Sequence, residues 1–167
     1  AEAELRKALQ SNPGDRWLRY AGKLIDAFKA IVEGREESAL EALGEVPPPG
    51  MANDWHRVRA FAFEELGRYD DAERELKEAI QEVPFDPANY RELSHIYYFS
   101  ARFEESLKAS DESLRLAESA SARSWRKSAL EKLGRLKESQ AEKAKILSST
   151  PVFQGDYSAI GWAFAGH

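Results

Sequence analysis

Several common sequence features are missing from this chain of 167 residues. It has no cysteine, which excludes a disulfide framework, a thiolate nucleophile and any cysteine-ligated metal or iron–sulfur site. Its apolar runs fall far short of the roughly 18 residues that a membrane-spanning helix needs, so we expect no membrane insertion. The first residues also lack the basic and then apolar pattern of a signal peptide. We expect a cytoplasmic protein, with a processed secreted or periplasmic form as the alternative.

The chain also has no excess of positive charge. Its 24 basic and 29 acidic residues give a net charge of −5, whereas proteins that attract nucleic acid through their overall field are typically strongly basic. Nucleic acid is therefore not an expected partner. The chain has few glycines and prolines, ten and seven in number, and 43% of its residues are hydrophobic. This composition predicts a folded protein rather than a disordered one.

Motifs for catalysis and metal binding are missing as well. The three histidines, His56, His95 and His167, are not spaced as metal ligands. No phosphate-binding glycine loop and no nucleophile-elbow motif occurs. Paired carboxylates such as Asp70-Asp71 follow a repeat turn, where negative charge favours the start of a helix. We therefore expect no catalytic residue, no metal, no cofactor and no enzymatic activity.

The chain does contain a repeat with a period of 33 or 34 residues. At this interval a small residue followed by arginine recurs four times, as Gly34-Arg35, Gly67-Arg68, Ala101-Arg102 and Gly134-Arg135. Small residues also stand five positions after each of these turns, at Ala39, Ala72, Ser106 and Ser139. Apolar residues on both sides of each turn follow the spacing of a helix face. Each unit is predicted to be a helix hairpin, in which the small residue after the turn lets the two helices approach closely.

The same spacing predicts nine helices along the chain. Asp15 and Asp86 are placed to cap two helix starts, and Pro87 suits the first position of a helix. The predicted ranges are about 2–11, 16–33, 35–45, 52–66, 69–82, 87–100, 103–117, 120–133 and 136–148.

This pattern of small, aromatic and terminal-proline positions resembles the tetratricopeptide repeat (TPR) family. The clearest copies are residues 53–86, with Phe63, Gly67 and Pro84, and residues 87–119, with Tyr97. The resemblance implies an all-α fold, a right-handed superhelical solenoid of stacked antiparallel helix hairpins. We assign residues 1–153 to this solenoid, as a half repeat (1–13), a degenerate repeat (16–50) and three further repeats (53–86, 87–119 and 120–153).

Residues 154–167 leave the repeat and become rich in aromatic residues and glycine. This segment is predicted either to cap the last hairpin or to be the truncated end of a longer chain, and self-association through the exposed ends is an alternative use of its apolar surface. The aromatic residues that make it a second candidate surface are Tyr157, Trp162 and Phe164.

A second resemblance concerns the end of the repeat region. The stretch Leu133-Gly134-Arg135-Leu136, together with residues 149–153, resembles the ends of TPR arrays appended to bacterial class III adenylate cyclases. That resemblance implies an alternative function for the chain, as the non-catalytic regulatory arm of a larger bacterial signalling enzyme.

The TPR resemblance places the binding surface on the concave face, which the first helix of each hairpin provides. It implies inner residues about two, three, six and ten positions before each turn. In the two central repeats we select seven candidate contacts to a protein or peptide partner: Arg57, Phe61, Glu64, Arg91, His95, Tyr98 and Phe99. The arginines suit a carboxylate or a backbone carbonyl, and the aromatic rings supply rigid apolar area. Phe61 and Tyr98 fit packing between helices equally well. The predicted function is that of a protein–protein interaction scaffold.

Overall fold

The computed structural model describes residues 2–44 and 50–149. Within these ranges the chain forms nine α-helices and no strand, which confirms the all-α prediction. In chain order the helices are α1 (Glu2–Ser11), α2 (Arg16–Val32), α3 (Glu36–Ala42), α4 (Ala52–Glu65), α5 (Tyr69–Glu82), α6 (Pro87–Phe99), α7 (Phe103–Leu116), α8 (Ala120–Lys132) and α9 (Leu136–Ser149). The predicted ranges agree with these bounds to within three residues.

The helix starts have local causes in the sequence. The carboxylate of Asp15 accepts hydrogen bonds from the backbone amides of Trp17 and Leu18, at 2.8 and 3.2 Å. Asp86 caps α6 in the same way by accepting from the amide of Ala88 at 2.9 Å. These caps satisfy amides that have no partner inside the helix, so they fix where α2 and α6 begin.

The four repeat turns share a left-handed backbone. Gly34, Gly67 and Gly134 have φ angles of 71°, 69° and 73°, and Ala101 adopts 59° at the equivalent position. Glycine takes this conformation at no steric cost, whereas an alanine side chain crowds its own backbone there. The turn after α6 is therefore strained relative to the other three.

Within each hairpin the two helices meet at the small residues that the repeat pattern predicts. Ala39, Ala72 and Ser106 are completely buried, and Ser139 is nearly so. In the third hairpin, the hydroxyls of Ser94 and Ser106 each donate a hydrogen bond to the other residue's carbonyl, at 2.9 and 2.8 Å. Small side chains thus allow the close helix approach, and serine adds hydrogen bonds to it.

The hairpins α2/α3, α4/α5, α6/α7 and α8/α9 stack on one another, and α1 packs against α2. Among the first helices of the hairpins, α2 packs closely on α4 and α6 packs closely on α8, whereas α4 and α6 contact each other less. The central core lies between these layers and includes Phe63, Leu76, Ile96 and Tyr97. None of the helices in the described ranges has the length and apolar character needed to cross a bilayer.

Candidate partner-binding groove

A groove of about 630 Å³ opens between the inner helices α2, α4 and α6. The side chains that make its apolar wall are Leu24, Ile25, Phe28, Val58, Phe61, Leu76 and Ile96. The rings of Phe28 and Phe61 stack with their centroids 5.8 Å apart, and Phe28 is 51% exposed. The groove therefore presents aromatic surface to the outside as well as an apolar interior.

The charged side chains that line this groove are Lys29, Asp54, Arg57, Glu64 and Glu92. Arg57 lies between two of the carboxylates, at 3.7 Å from Asp54 and 3.8 Å from Glu92. Glu92 also accepts a hydrogen bond of 2.7 Å from Arg91. The two arginines therefore share Glu92, and the contact between Arg57 and Glu92 bridges α4 and α6.

One hydrogen-bond donor of Arg57, its Nε, takes no part in these contacts. Its Nε is buried, and no acceptor for it lies among the described residues. A buried donor without an acceptor raises the free energy of the folded protein by about 1–3 kcal/mol. The side chain as a whole is 30% exposed, and its ion pairs to Asp54 and Glu92 are longer than a hydrogen bond, so its terminal nitrogens can donate to an acceptor that enters the groove.

Glu64 lies in a different electrostatic environment. Its side chain is 15% exposed, and its Oε1 lies 3.3 Å from Nε2 of His95 on α6. Burial raises the pKa of Glu64 to about 7, and the nearby charges of Glu65 and Glu92 act in the same direction. Burial lowers the pKa of His95, although Glu92 opposes this shift. At neutral pH the Glu64 carboxyl is therefore only partly ionised beside an uncharged imidazole.

Farther along the inner face, aromatic side chains fill the space between α6 and α8. These side chains form the aromatic cluster: His95, Tyr98, Phe99, Phe103 and Trp125. Trp125 stacks on His95 at a centroid distance of 4.4 Å and lies 5.6 Å from Tyr98. Phe99 is 52% exposed, so it presents the cluster to solvent.

The structure divides the seven predicted contact residues between these two regions. Three of them line the groove: Arg57, Phe61 and Glu64. Three belong to the aromatic cluster: His95, Tyr98 and Phe99. Arg91 reaches the groove through Glu92. Their contact with a partner stays a prediction. The second candidate surface, at Tyr157, Trp162 and Phe164, lies outside the described residues.

Sequence reasoning missed the position nine residues before each turn. This position holds Ile25, Val58, Glu92 and Trp125 in successive units. The first three line the groove, and Trp125 fills the equivalent space next to His95. The repeat aligns these four residues, and the single tryptophan among them is the sequence signal that marks this position as one that faces the groove.

A second feature that sequence reasoning missed is a pair of buried carboxylates. Glu75 and Glu142 each stand eight residues after a turn and are 6% and 2% exposed. Glu75 lies 2.8 Å from Nδ1 of His56 and accepts a 3.0 Å hydrogen bond from Arg59.

Glu142 repeats this arrangement in the last hairpin. It lies 2.7 Å from Arg123 and 3.1 Å from Arg126, and these cations occupy the same repeat positions as His56 and Arg59. Burial raises the pKa of both carboxyls, but the hydrogen bonds outweigh it and lower each pKa below its ordinary value. Both clusters therefore join the helices of a hairpin through ionised groups. Within the described ranges no group of three or more histidine or acidic side chains forms a metal site.

Comparison with protein-family models gives no match, and comparison with curated protein sequences gives none either. Solved structures do share the fold. TTC0263, described as a thermophilic TPR protein in Thermus thermophilus, superimposes with a TM-score of 0.72 and 20% identity, over 89% of this chain and 81% of that one.

Two further solved structures agree with this result. PilW, described as a widely conserved type IV pilus biogenesis factor, gives a TM-score of 0.71 at 13% identity, over 92% of this chain and 71% of that one. MamA gives 0.68 at 16% identity, over 86% and 83% of the two chains. At these identities the similarity establishes the fold, and the chain is a TPR-type superhelical solenoid of stacked helix hairpins.

Proposed function

We propose that this chain is a protein–protein interaction scaffold that holds a segment of its partner in the concave groove. The observation that carries the proposal is the groove of about 630 Å³, with the stacked rings of Phe28 and Phe61 in its wall. Contiguous apolar surface that stays exposed on a folded protein typically marks an interaction site. A partner segment in the groove covers these rings.

The polar groups of the groove support binding of a polypeptide in particular. The terminal nitrogens of Arg57 make ion pairs longer than a hydrogen bond, and a backbone carbonyl of a bound segment supplies them with an acceptor. Beyond the groove, the exposed ring of Phe99 continues the apolar surface along the inner face. We propose that an extended segment runs from the groove onto the aromatic cluster, with Arg91 at its edge and with His95 and Tyr98 beneath it.

The fold favours the same proposal, because solenoids of stacked repeats typically bind through their concave surface. We propose this role for a cytoplasmic, non-catalytic protein. The alternative role, as the regulatory arm of a bacterial signalling enzyme, stays a prediction, and part of the resemblance behind it falls on residues 150–153, outside the described ranges.

The proposal can be tested by site-specific photo-crosslinking. A benzoylphenylalanine at position 28, in the groove, should capture a partner protein from a lysate of the source cell. The same group at position 74, exposed on α5, should not capture that protein. The captured protein is then identified by mass spectrometry, purified, and titrated against the wild type and Phe28→Lys/Phe61→Lys.

We expect the double variant to bind at least about tenfold more weakly, a loss of roughly 1.4 kcal/mol, because two charges then stand where the partner's apolar side chains pack. Circular dichroism of the variant checks that its helices remain. Equal capture from positions 28 and 74, or unchanged affinity in a folded double variant, contradicts the groove as the binding site.

A further inference from the structure

We propose that the groove selects a partner segment that carries a lysine or arginine, and that the cationic group of this residue pairs with Glu64. This inference rests on the proposed function, because it names the chemistry of what the groove binds. It concerns one side chain of the partner, with apolar residues on either side of it.

The position of Glu64 is the first argument. The residue lines the groove from α4, one helical turn after Phe61, and most of its side chain is removed from water. A carboxylate at the end of an apolar groove is poorly solvated, so an opposite charge that arrives with the partner stabilises it more than it would a surface carboxylate.

The charge balance of the groove is the second argument. Asp54 and Glu92 both lie within 3.8 Å of Arg57, and Glu92 is also hydrogen-bonded to Arg91. Glu64 has His95 as its basic neighbour, at 3.3 Å. Lys29 also lines the groove, so its charged side chains show no excess of one sign. What distinguishes Glu64 is that its neighbour His95 is uncharged, whereas Asp54 and Glu92 each lie beside an arginine.

The environment of Glu64 also argues against an acidic side chain of the partner at this position. Both arginines already have a carboxylate neighbour, and a partner carboxylate in the groove adds repulsion from Glu64 and Glu92. A cationic side chain is favoured instead, because it attracts Glu64. Its methylene groups can also pack against the ring of Phe61, and its charge can interact with the face of that ring. Charge complementarity therefore selects a basic residue.

The proposal predicts a pH dependence of binding. The groups that act on Glu64 are Glu65 on α4 and Glu92 and His95 on α6. The other charged groups that line the groove are Lys29 on α2 and Asp54 and Arg57 on α4. Because the pKa of Glu64 is raised to about 7, a cationic ligand must displace a proton from it in mildly acidic solution. Affinity should rise about tenfold from about pH 6 to about pH 8, as Glu64 ionises.

The test uses a phage-displayed library of random dodecapeptides, selected on the wild-type chain and counter-selected on Glu64→Gln. Enriched peptides should contain lysine or arginine between apolar residues. A synthetic copy of the most enriched peptide should bind the wild type at least about tenfold more tightly than it binds Glu64→Gln, which corresponds to the loss of one partly buried ion pair. The charge-matched control Glu78→Gln, on the exposed side of α5, should bind like the wild type.

The remaining outcomes separate this inference from the proposed function. Peptides that lose binding in Phe28→Lys/Phe61→Lys but show no preference for basic residues, or prefer acidic ones, overturn the cationic selectivity and leave the groove as the binding site. If the selected peptides bind the double variant and the wild type with equal affinity, the groove function and this inference are both contradicted. The same holds if the selection enriches no peptide that prefers the wild type to the double variant. Replacing the lysine of the selected peptide by glutamine should abolish its preference for the wild type over Glu64→Gln, and an unchanged preference overturns the inference.

Discussion

The inner face of this solenoid is open between α2, α4 and α6 and closed between α6 and α8. In the open region the position nine residues before the turn holds Ile25 and Val58, and a groove of about 630 Å³ remains. In the closed region the same repeat position holds Trp125, which stacks on His95 at 4.4 Å. The comparison indicates that side-chain volume at one repeat position decides whether the solenoid presents a groove or a filled aromatic surface.

The two regions differ on the inner face but share the buried carboxylate beneath it. We expect Glu75→Ala and Glu142→Ala each to lower the free energy of unfolding by about 3 kcal/mol, because each change removes the buried carboxylate that basic side chains of the neighbouring helix share. Chemical denaturation measures both values. If one variant loses far more stability than the other, the ion clusters of the two hairpins are not equivalent.

A pH titration of stability checks the same clusters without deleting a side chain. The pKa of Glu75 in the folded protein lies below its ordinary value of 4.5, so its contribution is present above about pH 4.5 and is lost as pH falls through the lowered pKa. Glu75→Gln should therefore show a weaker loss of stability on acidification than the wild type. An identical acid dependence in the two proteins contradicts the ion cluster.

The closed region can be opened by Trp125→Ala. Because Trp125 is only partly buried and contacts three rings of the aromatic cluster, we expect a loss of about 2 kcal/mol, below the range for a fully buried tryptophan. Thermal denaturation measures the loss. Added indole should fill the space left by the tryptophan and restore part of the lost stability. A variant that melts like the wild type shows that the ring does not hold α6 against α8.

The open region can be closed by Val58→Trp. A tryptophan at this position should fill the groove as Trp125 fills its neighbour, and the captured partner should bind at least about tenfold more weakly, a change of roughly 1.4 kcal/mol. Isothermal titration calorimetry measures the affinity. The control Leu147→Trp, on the exposed surface of α9, should bind like the wild type. If a folded Val58→Trp binds the partner with the affinity of the wild type, the volume of the groove does not determine binding.

The smallest expected effect concerns the turn after α6, the helix that belongs to both regions. Ala101 has a φ of 59°, so Ala101→Gly should raise the free energy of unfolding by about 1 kcal/mol through relief of backbone strain. The reciprocal change Gly67→Ala should lower it by a similar amount. A Cβ at Gly67 meets no atom within 4 Å, so the backbone conformation alone accounts for that loss. Equal stabilities of all three proteins contradict the strain.

The sequence predicts the fold of this protein well because local rules determine it. Turn residues with positive φ recur at a fixed interval, Asp15 and Asp86 cap their helices, and small residues such as Ala72 mark the contact within a hairpin. Each of these rules acts over a few residues, so a single repeat contains the information needed to predict a helix hairpin.

The site is harder to predict because it depends on side chains that are distant in sequence. Arg57 and Glu92 meet across two inner helices, and whether the groove stays open depends on Ile25, Val58 and Ile96 together. Family offsets select Arg57 and Glu64, which line the groove, and their contact with a partner stays a prediction. They do not show that Glu92 contacts both Arg57 and Arg91, because the contact with Arg57 depends on the spacing between neighbouring hairpins.

The central claim is that the partner occupies the groove, and a methyl NMR titration with the captured partner tests it most directly. On addition of the partner, the methyl signals of Ile25 and Val58 should shift and saturate together, while those of Leu147, exposed on α9, should stay in place. Saturating shifts confined to α8 and α9, with unchanged signals for Ile25 and Val58, would contradict the groove as the binding site.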